Sequence, residues 1–206
     1  MTSNTLKIIR LITPPLIVLI LGVVFLSFFG LKIIRIPEKL EDAAFSIPTI
    51  IIALLYYITP FRSWANGAHH KHINENIRSR LVLIANLRDD PVKYSWKKVK
   101  NVFYRQIDSD GSLKKRSEDI MFNGAIWTSL ADLTVISAGY SIIGLIPLFL
   151  QIRKSLLSLT VMILITVLSI CLQKLVTRKH FSMGIDQLDY MEQFRRNEII
   201  SDMTKL

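Results

Sequence analysis

The sequence predicts an all-α polytopic membrane protein, with four transmembrane helices and helical cytoplasmic extensions. Three observations predict it. Half of the 206 residues are hydrophobic and 20% are charged, yet the apolar residues stand in unbroken blocks instead of recurring at helix or strand period. The mean hydropathy of +0.37 reflects that clustering. Four stretches, residues 11–31, 43–61, 133–150 and 155–173, carry no ionised side chain; each is close to the length of about 20 residues that a helix needs to cross hydrocarbon. Finally, the Lys and Arg residues alternate in density between the segments that join these blocks. The composition excludes a disordered chain and a repetitive fibre, and Cys171, the single cysteine, excludes an intrachain disulfide or a thiolate metal cluster.

Residues 1–61 read as a first transmembrane hairpin, with spans at about 11–31 and 43–61. A cleaved signal peptide is not expected, because the first block is long, carries Pro14-Pro15 near its start and lacks a small-x-small site before Lys32. Residues 62–126 form a basic helical cytoplasmic segment. Ile73, Ile77, Leu81 and Ile84 make one apolar helical stripe, which Asp89-Asp90-Pro91 should end, since a residue before proline is pushed out of the helical region. Trp96, Val99 and Phe103 make a second stripe, ending at the Asp108-Ser109-Asp110-Gly111 turn. A further helix should start near Ser112 or Leu113 and run into the third span.

Residues 127–176 read as the second transmembrane hairpin, with spans at about 130–150 and 155–175. Residues 177–206 form an amphipathic cytoplasmic tail through Ile185, Leu188, Met191 and Phe194, expected to pack within the protein. The charges orient the bundle. Two basic residues lie in 1–10, thirteen in 62–126 and six in 174–206, against three in 32–42 and two in 151–154. Basic residues collect on the cytoplasmic side, so the expectation is an inner (cytoplasmic) membrane protein with both termini inside.

Four features are candidates for function. The net charge is +10, and its densest part is Lys93, Lys97, Lys98, Lys100, Arg105, Lys114, Lys115 and Arg116 around the Asp-Gly turn, interleaved with Tyr94, Trp96, Phe103 and Tyr104. Such a cluster suits anionic lipid, a protein partner, or nucleic acid gripped between cations and rings, with nucleic acid the least favoured. Asp132, five residues past Trp127, is either an interfacial carboxylate reaching headgroups or water or a gating residue. Thr134, Ser137, Ser141 and Gly144 form a small-residue face for helix packing, within the chain or in a homo-oligomer. His69 and His72, one helical turn apart and near Glu75 and His180, are weak metal candidates; no metal or other cofactor is expected. No nucleophile elbow, phosphate-binding glycine loop or paired intramembrane acids are found, so no enzyme is expected.

In size and layout the chain resembles the small four-span membrane subunits of bacterial antiphage defence systems of the Kiwa type. The resemblance rests on the four spans, the basic segment from Tyr94 to Arg116 and the lack of catalytic motifs. It implies a non-enzymatic, oligomeric membrane sensor or scaffold that recruits a cytoplasmic effector. A pore or channel-forming effector is the alternative.

Overall fold

A computed structural model describes residues 3–29, 55–56, 58 and 60–206. The described residues are helical, with no strand among them. The helices are α1 (Ser3–Ser27), α2 (Phe61–Ile84), α3 (Trp96–Ser109), α4 (Gly111–Ile143), α5 (Leu145–Phe149), α6 (Ser155–Phe194) and α7 (Arg196–Thr204). Three stretches are long and apolar enough to cross a membrane: Ile8–Ser27, Gly111–Phe149 and Ser155–Phe194. The predicted second span at 43–61 and the connection 32–42 lie largely outside the described residues. The chain divides into two compact units.

The apolar unit comprises residues 4–66 and 125–175. Leu21, Phe25, Tyr56, Ile136 and Met162 form its core, with Ile17, Val18, Leu133, Tyr140 and Ile165 packed around them. Pro14 and Pro15 stand inside α1, where each lacks the N–H that would reach back four residues; Pro14 is wholly buried. Gly22 permits a close approach: a Cβ there would stand 2.8 Å from the Tyr140 hydroxyl, which donates to the Val18 carbonyl at 3.0 Å. Pro147 has no N–H for the Ile143 carbonyl, and α4 ends at that residue, with Gly144 separating it from α5. At the end of α5, Ile152 N–H bonds the Pro147 carbonyl and Gln151 N–H that of Leu148, a Schellman cap with Gln151 in the left-handed region at φ 53°. Lys154 is left-handed too, at φ 67°.

The polar unit comprises residues 1–3, 67–124 and 176–206. Its core joins Leu81, Val82 and Ile84 of α2, Val99, Phe103 and Ile107 of α3, Leu113 of α4, Leu188 and Met191 of α6, and Ile199 and Met203 of α7. Leu81, Met191, Ile199 and Met203 are fully buried, each worth about 1.5–3 kcal/mol relative to exposure. Asp110 caps α4, its carboxylate accepting the N–H groups of Ser112 and Leu113 at 2.8 and 3.0 Å. This places the start of the helix where the sequence puts it.

Two expectations are corrected here. The first stripe ends at Ile84, well before Pro91, because Asn86 takes the left-handed conformation at φ 55° while Leu87 N–H bonds the Val82 carbonyl and Asn86 N–H that of Leu83. A Schellman cap with asparagine at its centre therefore does the work assigned to the Asp-Pro pair. The tail is not a separate helix from residue 177: α6 runs unbroken to Phe194, and the break falls at Arg195, before α7. Within the predicted tail stripe Leu188 and Met191 are buried, whereas Ile185 and Phe194 are about half exposed.

Candidate functional site

The polar unit pairs part of its charge internally. Arg78 is 3% exposed and reaches Asp89 with two guanidinium nitrogens, at 2.7 and 3.1 Å, while its Nε bonds Glu75 at 2.9 Å. This fork ties the last turns of α2 to the connection that follows. The hydrogen bonds from Arg78 hold the Glu75 and Asp89 carboxyls below their usual range, and those to Asp89, then Glu75, hold the guanidinium above its own. Arg80 bridges Asp189 and Glu192 of α6 at 2.9 and 2.7 Å. Arg195, at the α6–α7 break, donates to Gln106 and Ser109 of α3.

The predicted basic cluster separates against that background. Arg105 is not free: it pairs with Asp202 of α7 at 2.7 Å, beside a bond from Gln106 to the same carboxylate. Arg116 lies over the Tyr190 ring at 5.0 Å, Lys93 over Tyr94 at 5.1 Å, and Lys115 stands 3.6 Å from Asp119. Lys97, Lys98, Lys100 and Lys114 have no ion-pair partner among the described residues. Nor is the cluster one spot. Lys98 lies about 18 Å along α3 from the Asp110 turn, at 1.5 Å per residue, whereas Lys114, Lys115 and Arg116 stand just beyond it.

The interleaved aromatics are mostly core. Tyr94 and Phe103 are buried and Trp96 packs against them, leaving Tyr104 exposed. Base stacking needs open ring faces, and one exposed ring does not make a platform. Tyr104 lines a shallow depression on the outer face of α3 with Asn101, Arg105, Asp108 and Ser109.

In the apolar unit, Asp132 is fully buried and accepts the Tyr56 hydroxyl at 2.8 Å. It does not reach water as the interfacial reading requires, since its own packed surroundings provide the donor. The small-residue face also turns inward. Ser137, fully buried, accepts the Thr166 hydroxyl at 2.9 Å; Thr134 and Ser169 share a hydrogen bond at 2.8 Å. Ser141 bonds back to the Ser137 carbonyl, and a Cβ at Gly144 would stand 3.4 Å from the Phe25 ring. The partners of this face are α6 and α1 of the same chain, so the homo-oligomer surface expected there is already occupied.

His72 of α2 meets the Phe181 ring of α6 edge-on at 5.1 Å. Among the described residues no three His, Cys, Asp or Glu side chains converge to hold a metal ion, and His69 and His72 are not joined by a third ligand. Arg78, Arg80 and Asp202 were not singled out in the sequence. Their partners lie 11, 109 and 97 residues away, and only the Asp89-Asp90 pair after an Arg-bearing helix gave a local hint.

No protein family, curated protein or solved structure matches the chain.

Proposed function

We propose that the chain is a non-enzymatic membrane sensor or scaffold whose polar unit recruits an acidic cytoplasmic partner. In this reading it is an oligomer in the inner membrane with four spans and both termini cytoplasmic, and it serves bacterial antiphage defence. The observation that carries the reading is the set of cations without an ion-pair partner among the described residues, Lys97, Lys98, Lys100 and Lys114, grouped around α3 and the start of α4. Lys97 and Lys98 stand in the first turn of α3 and Lys114 in the first turn of α4, and neither turn holds an acid. A cation at a helix N-terminus is disfavoured by about 0.3–1 kcal/mol, so the fold gains nothing from these residues. An acidic partner would turn that cost into attraction.

The pore alternative draws on buried Asp132, but hydroxyls further along the same span are engaged in packing: Ser137 is fully buried and accepts the Thr166 hydroxyl, and Thr134 shares a hydrogen bond with Ser169. An oligomer would have to form through a face other than Thr134, Ser137, Ser141 and Gly144.

Two experiments test the proposal. Co-purification of a cytoplasmic partner should weaken as salt shortens the screening length from about 10 Å at 0.1 M to about 3 Å at 1 M; salt-indifferent association would reject a charge-driven dock. Ser112, exposed beside the Asp110 cap, is the position for topology. In a Cys171→Ser background, Ser112→Cys should react in intact cells only with a membrane-permeant reagent. Labelling by an impermeant one would reverse the orientation.

A further inference from the structure

A second cationic surface stands apart from the lysines assigned to the partner. Residues 69–72 of α2 read His-His-Lys-His and residues 178–180 of α6 read Arg-Lys-His. These two short segments hold all four histidines of the chain, and the helices touch through His72 and Phe181. His70, Lys71, His72, Arg178 and Lys179 are exposed. Among the described residues no ion pair joins Lys71, Arg178 or Lys179 to an acid.

Distance along the helices separates this surface from the first one. The apolar run of α6 reaches Leu172, and Arg178 follows six residues later on the same unbroken helix, about 9 Å at the helical rise. That is close to the screening length of about 8 Å at physiological salt. Arg116 precedes Trp127 by eleven residues on α4, about 16 Å, farther along its helix than Arg178 and Lys179 stand along theirs. Attraction to anionic lipid belongs to cations within a screening length of the surface.

We propose that the surface formed by Lys71, Arg178 and Lys179 binds anionic phospholipid headgroups. Along the chain, Glu75 follows His72 by three residues on α2 and Asp186 follows His180 by six on α6. Glu75 is held by Arg78 and Asp119 by Lys115. The lipid site uses none of Lys97, Lys98, Lys100 or Lys114, so its failure would leave partner recruitment standing, and the reverse.

The test is native mass spectrometry of the full detergent-extracted chain with added phosphatidylglycerol or phosphatidylcholine at pH 7.5. Wild type should retain phosphatidylglycerol preferentially. Lys71→Gln, Arg178→Gln and Lys179→Gln should each lose about five-fold, with the triple variant approaching the phosphatidylcholine level. Equal retention of the two lipids, or an unchanged triple variant, would overturn the proposal. So would displacement of phosphatidylglycerol by about 10 mM inorganic phosphate, which would indicate a simple anion site, or binding of polyglutamate without phosphatidylglycerol, which would indicate an acidic protein.

Discussion

The two units handle polar groups in opposite ways. In the apolar unit they turn inward and pair with one another: Tyr56 with Asp132, Thr166 with Ser137, Ser169 with Thr134. In the polar unit the pairing includes Arg78 with Glu75 and Asp89, Arg80 with Asp189 and Glu192, and Arg105 with Asp202, and a surplus of lysines is left outside. The difference follows from composition, since the apolar unit is built from helices long and apolar enough to cross a membrane. A polar group that faced hydrocarbon would have no water to fall back on, which favours pairing inside. A lysine facing water costs little, and surplus charge can be held ready for something else.

The comparison can be broken in several ways, starting with the largest effect. Met203→Ala removes a fully buried side chain that anchors α7 to the polar core. It should lower that unit's stability by about 2–5 kcal/mol and speed hydrogen exchange in α3 and α7, leaving the apolar unit unchanged. Loss of protection in both units together would mean that they do not respond separately. Next, Ser137→Leu forces bulk into a buried contact and breaks the bond from Thr166; a loss of about 1–3 kcal/mol is expected, read as a lower melting temperature in detergent. An unchanged melting temperature with a smaller assembly would instead place Ser137 at a contact between copies.

Lys154→Gly should stabilise, because a non-glycine residue at positive φ costs roughly 1 kcal/mol, and a thermal melt should rise by a few degrees or less. The smallest effect is local and depends on pH. Glu75 and Asp89 carry lowered pKa values through Arg78. Their contribution is therefore present above the ordinary carboxylate value of about 4 and lost as pH falls through their lowered values. Amide protection at residues 85–94 should drop in acid in wild type and be low throughout in Arg78→Gln. A rise in protection on acidification would reverse the assigned sign.

Local signals in the chain were legible and remote ones were not. The apolar blocks, the α3 stripe and the start of α4 at the Asp110 turn are set by neighbours within a few residues, and periodicity reads them. The true end of α2 was also local, yet Asp-Pro drew attention from Asn86, which tolerates the left-handed conformation that a Schellman cap needs. What could not be read is which buried group meets which. Arg105 carries the same apparent charge as Lys98 in a sequence, and only the arrival of Asp202, 97 residues later, removes it from the free set. In the same way Ser137 and Gly144 announce close packing without naming a partner, and the partner proves to be within the chain. The aromatics near the basic cluster misled for a similar reason, since Tyr94 and Phe103 belong to the core side of the same turns.

The central claim is that the exposed lysines of the polar unit recruit a partner while the polar groups of the apolar unit hold helices together. The most direct measurement compares two variants in the same preparation: Lys97→Glu with Lys98→Glu, Lys100→Glu and Lys114→Glu, and Asp132→Asn. Partner co-purification and ion flux in liposomes are read for both. The account predicts that charge reversal abolishes recruitment with membrane insertion intact, and that Asp132→Asn leaves recruitment unchanged with no flux to lose. Normal recruitment in the charge-reversed protein, together with a flux that disappears in Asp132→Asn, would contradict it and establish the pore.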